Sequence, residues 1–203
     1  MSPKIVGFCG YPGSGKDEAA KILIAHGWQR LAFADKLRAV ALGSDPMIHV
    51  FPEEHASIGT NPQILINKGA FCSGGHYFIR LTALLKVVDW HAAKKCADVR
   101  RFLQKLGTEG VRDNLGINSW VDAAERSIEV GTRVVFTDTR FPNEAEMIRS
   151  RGGKLYWMDR RSIDRTHQHS SEDYPFEFDG TLRNDGTIAD LHNKVLELVG
   201  ISL

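Results

Sequence analysis

The chain has 203 residues, 42% of them hydrophobic and 25% charged, which suits one globular domain with a sizeable core, or one domain carrying a lid. Lysine and arginine number 26 against 25 aspartates and glutamates, a formal net charge of +1, so no bulk field draws in a nucleic acid polymer or an anionic membrane. Any affinity for a polyanion has to come from a local cluster. The opening MSPKIVGFCG lacks the apolar stretch and cleavage site of a signal peptide. No run approaches the ~18 consecutive apolar residues of a membrane span. Three cysteines, Cys9, Cys72 and Cys96, without paired spacing, argue against a disulfide framework, and a reducing cytoplasm is the expected location.

Residues 4–9, KIVGFC, read as a buried strand. A helix follows from Gly15 to about His26, with Ala19, Ile22 and Leu23 on one face and Gly27 as its stop. A second strand near 28–34 leads into DKLRAVAL, a short helix with Asp35 as its N-cap. This β–α–β–α opening predicts a three-layer α/β/α domain around a mostly parallel central sheet.

Residues 43–78 break the rhythm, because Pro46, Pro52 and Pro62 and five glycines leave little room for long regular elements. Such a stretch marks a lid or a binding insert. Helical periodicity returns from Ile79, with Leu81, Leu84, Leu85 and Val88 on one face. It recurs over 98–107, where Val99, Phe102, Leu103 and Leu106 form a stripe. A further helix from Asn118 or Ser119 buries Val121, Ala124 and Ile128 and stops at Gly131. Residues 132–138, TRVVFTD, form a strand ending in a carboxylate, 143–151 a helix and 154–158 a strand. The polar stretch 159–180 reads as a mobile loop or lid. Thr187 caps the last helix with Asp190 three residues on, and its stripe is Ile188, Leu191, Val195 and Leu198.

The chemistry begins at residues 10–17, GYPGSGKD, which follow a strand and open a helix. Gly10, Gly15 and Lys16 match the P-loop pattern G-x-x-x-x-G-K-[ST], with Asp17 at the last position. Glycines such as Gly10, Gly13 and Gly15 let backbone N–H groups around Ser14 converge on phosphate oxygens. The helix N-terminus adds its dipole, and Lys16 reaches the outer phosphates. Asp17 replaces the usual Mg2+-binding hydroxyl. It either holds the metal through water, contacts the acceptor, or complements the helix dipole.

No guanine-reading Asn-Lys-x-Asp is present, and the chain is too short for a motor, so small-molecule kinases are the P-loop group of this size. They combine a core sheet, an acceptor-binding insert and an arginine-bearing lid. On the helix at 98–107, Arg101, Gln104 and Thr108 share one polar face, which suits a phosphate and a base edge. The plainer reading is a solvated face. Trp120 can stack on a base or lie in the core. Asp138, Arg140 and Glu144 gather at a strand's carboxyl end, where open α/β sheets bind ligands. Arg140 and Glu144 can equally form a helix-capping salt bridge. Arg160, Arg161 and Arg165 in DRRSIDR are candidate lid arginines that close over the transferring phosphoryl group, or a solvated basic loop.

Four blocks carry a family likeness: GSGKDEAA, FADKLR at 33–38, FLQKLGTEGVRDNLGINSWV at 102–121 and VVFTDTRFPNEAE at 134–146. HSSED at 169–173 and RNDGTIADL at 183–191 lend weaker support. Through these the chain resembles the phage deoxynucleoside monophosphate kinases. The resemblance implies a P-loop NTPase fold as a single domain over 1–203, with an acceptor-side insert at 43–90 and a lid-like segment at 159–180. It implies transfer of the γ-phosphoryl group of ATP, with Mg2+, to a deoxynucleoside 5'-monophosphate for phage DNA precursor synthesis. It assigns acceptor roles to Asp17, Arg101, Gln104, Gly107, Thr108, Trp120, Asp138, Arg140 and Glu144. Arg80 is a softer candidate for reading the base. Asn184 is placed near the donor adenine by this likeness alone. Lys16 and the loop amides would neutralise the donor's phosphates, and Arg101 and Arg140 would orient the acceptor for in-line attack.

Two alternatives remain. One is another P-loop kinase, acting on dephospho-coenzyme A or phosphomevalonate, against which Gln104 and Trp120 speak. The other is a non-catalytic ATP-binding switch, which needs no second phosphate site. The accepted bases, the exclusion of ribonucleotides and the oligomeric state, a homodimer included, are left open.

Overall fold

The structure is a computed structural model and describes residues 4–161 and 174–201. Chain order runs β1 (Ile5–Cys9), α1 (Lys16–Ala25), β2 (Trp28–Leu31) and α2 (Phe33–Ser44). Next come β3 (Met47–Val50), α3 (Glu54–Ser57), α4 (Pro62–Asn67), β4 (Phe71–Ser73) and β5 (His76–Arg80). They are followed by α5 (Leu81–Leu84), α6 (Trp90–Ala93) and α7 (Ala97–Lys105), which continues through a π-helical stretch, Leu106–Arg112, into α8 (Asp113–Leu115). The chain closes with α9 (Ser119–Glu125), β6 (Arg133–Phe136), α10 (Pro142–Ser150), β7 (Lys154–Asp159), β8 (Gly180–Arg183) and α11 (Ile188–Leu198). Two compact units result: Met1–Asp35 with Trp120–Leu203, and Lys36–Ser119. The sequence reading delimits its insert more narrowly, at 43–90.

In the first unit, five strands lie in the order β2-β6-β1-β7-β8, and every pairing is parallel. A parallel sheet is covered on both faces, so its strands are apolar on both sides. Alternation along β1 assigns those sides. Val6 and Phe8 join Val135, Met158 and the buried stripes of α1 and α11 (Ala19, Leu23, Leu191, Val195). Ile5 and Cys9 join Val134, Phe136, Leu155 and residues of α9 and α10 (Val121, Ala124, Ala145, Ile148). The result is the expected three-layer α/β/α arrangement. Gly7 lets α10 approach the central strand: a Cβ there would lie 2.7 Å from Ile148 Cδ1 and from Leu155 Cδ2.

The second unit has its own sheet, β3-β5-β4, antiparallel throughout. Gly74 and Gly75 turn β4 into β5 with φ of 57° and 83°, the left-handed pair that a two-residue hairpin requires. Its core takes Ile48, Val50, Leu65, Ile79, Leu81 and Leu84, with Val99 and Leu103 from α7.

Several local expectations change. The segment 43–78 is not structureless: strands of three to five residues fit between its glycines and prolines where long elements could not. Ile79 belongs to β5, not to a helix. Asp35 is not an N-cap but lies inside the first turn of α2, and its carboxylate accepts from Ala32 N at 3.0 Å and Arg30 Nη1 at 2.7 Å. Thr187 and Asp190 do form a reciprocal capping box, at 3.1 and 2.8 Å. Ile188, however, is 60% exposed at the first helical position, and the buried stripe starts at Leu191. β8 begins at Gly180, the last residue of the stretch read as polar loop, and continues to Arg183, with Leu182 alone buried among its four. Among the described residues, no helix is long and apolar enough to cross a membrane.

Candidate active site

The loop between β1 and α1 is built on three left-handed glycines, Gly10, Gly13 and Gly15, with φ of 137°, 81° and 98°. Other residues rarely adopt such values. Its Lys16 side chain folds back over the loop. Lys16 Nζ donates to the carbonyls of Gly10 (2.5 Å) and Tyr11 (2.8 Å) and to Ser14 Oγ (3.3 Å). Ser14 is fully buried. Burial first, and then the positive charge of Arg140, push the Lys16 ammonium down to about 8, against the attraction of Asp17, Cys9 and Asp138. Two cations thus bear on one another at a helix N-terminus, an arrangement that favours an anion. Asp17 is exposed in the first turn of α1. Cys9, behind the loop, is pushed up to about 12 by burial, so its thiol stays protonated and is no nucleophile.

The segment after β6 supplies the adjoining wall. Asp138 lies two residues beyond the strand rather than ending it. Its carboxylate accepts from Phe33 N at 2.8 Å and Ala34 N at 3.0 Å, capping the start of α2 and tying FADKLR to TDTRFPNEAE. Burial raises the Asp138 carboxyl, and these two N–H groups work in the other direction. Glu144 is buried, and its Oε2 accepts from the backbone N–H of Arg140 (2.7 Å) and Phe141 (3.1 Å). That bond pair fixes the backbone that carries Arg140. Trp120, at the start of α9, is 7% exposed.

From the other side of the loop, Arg160 Nη1 reaches the Gly13 carbonyl at 3.4 Å. Arg161 instead turns to Asp185, which accepts from its backbone N at 2.9 Å and pairs with its guanidinium at 3.5 Å. Arg165 and the HSSED motif lie outside the described residues. Asn184 Nδ2 donates to the Ser14 carbonyl at 2.9 Å, and a Cβ on Gly15 would lie 2.3 Å from that nitrogen. The structure thus places Asn184 against the P-loop backbone. Sequence reading overlooked Tyr174, which is buried, with its hydroxyl donating to the Gly10 carbonyl at 2.9 Å. The available signal was the alternation of Tyr174, Phe176 and Phe178, which reads as an extended segment facing apolar surroundings.

The remaining residues that the sequence reading expects in a site belong to the second unit. Arg101 and Gln104 are exposed on α7, where Arg101 pairs with Asp98. Gly107 and Thr108 fall in the π-helical stretch, so the α-helical spacing that aligned Thr108 with Arg101 and Gln104 ends at Lys105. A Cβ on Gly107 would lie 3.3 Å from Leu37 Cδ2. Arg80 Nη1 donates to the Asp45 carbonyl at 2.9 Å, bracing a turn in which Asp45 has φ of 41°. Among the described residues, no three His, Cys, Asp or Glu side chains converge as a metal cluster.

A family model of deoxynucleotide monophosphate kinases matches residues 60–195, two thirds of the chain. The chain belongs to the deoxynucleotide monophosphate kinase family. Its P-loop α/β fold and its membership make it a nucleotide kinase, a phosphotransferase. No curated protein matches it significantly. Among solved structures, it is similar to a mutant of the Mycobacterium tuberculosis APS kinase CysC, with 16% identity, 98% of each chain covered and a TM-score of 0.39. It is also similar to TT1252 from Thermus thermophilus, with 20% identity, 98% of each chain covered and a TM-score of 0.40.

Proposed function

We propose that this deoxynucleotide monophosphate kinase family member transfers the γ-phosphoryl group of ATP to a deoxynucleoside 5'-monophosphate, yielding the diphosphate. The observation that carries the reading is the loop of left-handed glycines opening α1, with Lys16 Nζ folded over its carbonyls. A site built to concentrate positive charge at a helix N-terminus binds clustered phosphates. The family membership supports the acceptor class.

Phosphoryl transfer needs positioning and charge neutralisation more than covalent work by the protein. Lys16 leaves the Gly10 and Tyr11 carbonyls to contact the donor's outer phosphates. Arg140, held by Glu144 through its own backbone N–H, orients phosphate beside it. Of the candidate lid arginines we assign the role at the transferring group to Arg160, a reading supported by its contact with the Gly13 carbonyl of the loop. Arg161 is committed to Asp185. Arg101 and Gln104, exposed on α7, offer a guanidinium and an amide for the acceptor's phosphate and base. Asp17, an exposed carboxylate in the first turn of α1, fits Mg2+ held through water, a cation that takes one or two carboxylates, waters and substrate phosphates. When bound, Mg2+ supplies further neutralisation of the phosphate charge.

The test is a coupled ADP-release assay over deoxynucleoside and ribonucleoside monophosphates, dephospho-coenzyme A and phosphomevalonate. Turnover on deoxynucleoside monophosphates is expected. Turnover only on the other acceptors, or none with ATP still bound, overturns the reading.

A further inference from the structure

We propose that Tyr174 and Asn184 are positioning residues that clamp the P-loop at its two ends and keep its amides aimed at the donor phosphates; this rests on the phosphoryl-transfer reading above. In the free loop, Lys16 satisfies the Gly10 and Tyr11 carbonyls itself. To meet a phosphate it must release them. Among the described residues, the Gly10 carbonyl then keeps the Tyr174 hydroxyl as its donor, at 2.9 Å and from 164 positions away. At the other end, the Ser14 carbonyl is held by Asn184 Nδ2 at 2.9 Å, from 170 positions away. A trans peptide points its C=O and its N–H in opposite directions. Fixing the Gly10 carbonyl on Tyr174 therefore orients the Tyr11 N–H, and fixing the Ser14 carbonyl on Asn184 orients the Gly15 N–H. These are groups of the kind that cradle phosphate.

Both clamping residues are themselves tightly placed. Tyr174 has φ of 40°, a conformation that non-glycine residues seldom adopt and that persists only where the surroundings over-determine it. Its ring packs edge-on to Trp157 at 4.9 Å and to Tyr11 at 6.5 Å between centroids. Asn184 is close enough to Gly15 that any Cβ there would collide with its amide. Its own backbone N–H donates to the Asp159 carbonyl at 2.7 Å, so the residue is anchored to the end of β7.

The full-length protein with Tyr174→Phe or Asn184→Ala tests the clamp. ATP affinity is measured by calorimetric titration without acceptor, with inorganic tripolyphosphate as a second probe, and KM is measured for both substrates. Loss of a neutral hydrogen bond predicts about 3- to 10-fold weaker binding of ATP. The same factor is expected for tripolyphosphate and for the ATP KM, with the acceptor KM unmoved. Unchanged ATP affinity, or an equal rise in both KM values, overturns the proposal. So does a loss confined to ATP in Asn184→Ala, which would mark an adenine contact instead. Tyr174→Phe keeps the ring and its packing, so it reads the clamp even if Asn184→Ala fails to fold. Wild-type protein that binds neither probe would overturn the phosphoryl-transfer reading itself, and the clamp with it.

Discussion

At the scale of single residues, Lys16 shows how burial and a neighbouring charge set a working pH. An isolated lysine stays protonated to about 10.4. Here burial and Arg140 bring the ammonium down to about 8 in the free protein. The protonated form is the one that attracts phosphate, so ATP affinity should fall as pH rises through that value. We expect the ATP dissociation constant, followed by titration from pH 6.5 to 9.5, to weaken with a midpoint near 8. Arg140→Ala should move the midpoint upward, because it removes a repelling charge. Lys16→Arg should flatten the profile, because a guanidinium does not titrate in this range. A wild-type profile flat across the window would contradict this placement of Lys16. The loop itself was legible because its glycines, serine and lysine are neighbours in sequence. Tyr174 was not, because its partner carbonyl is contributed by a residue far back in the chain.

Among the elements, close approach and capping decide what single changes cost. Gly7 lies where α10 meets the central strand. Gly7→Ala would place a methyl 2.7 Å from Ile148 Cδ1 and Leu155 Cδ2. Overpacking of this kind costs about 1–3 kcal/mol, read as a lowered urea midpoint. Ile148→Val removes the nearer end of one of those contacts. The double variant should therefore lose less than the sum of the two single changes, whereas simple additivity would contradict the contact. Glu144→Ala strips an acceptor from two backbone N–H groups in a buried place, and a loss of about 1–3 kcal/mol is expected in the same denaturation measurement. Periodicity exposed α1, α10 and α11 because each buries one stripe against the sheet. It misread residues from Ile79 because a five-residue strand followed by a one-turn helix imitates a longer helical face. It could not foresee the π-helical stretch after Lys105, since Leu106, Phe102 and Val99 keep helical spacing whether or not the backbone widens afterwards.

For the molecule as a whole, the order of the sheet sets the order of its stability. β1 lies at the centre, with β6 and β7 on either side, while β2 and β8 form the edges. Amides of β1, β6 and β7 should exchange with deuterium slowest, and those of β2 and β8 fastest among the strands of this sheet. Hydrogen exchange followed by mass spectrometry checks this, and an early loss of protection in β1 would contradict it. The near-cancellation of charge, +1 over 203 residues, sets no such order and names no ligand. It averages over local charge such as Lys16, which feels the charge of Arg140, and Arg160 on the loop's Gly13 carbonyl. The sequence by itself determined the α/β class, the glycine loop, its lysine and the capping of the last helix: the class is written in the alternation of strand and helix patterns, and the others depend on residues close together in the chain. The tertiary structure alone decided that Asp138 caps α2, that Asn184 and Tyr174 hold the P-loop, and that 43–78 builds a sheet. Those outcomes depend on which distant backbone groups are brought within hydrogen-bond distance, and local pattern carries no record of that.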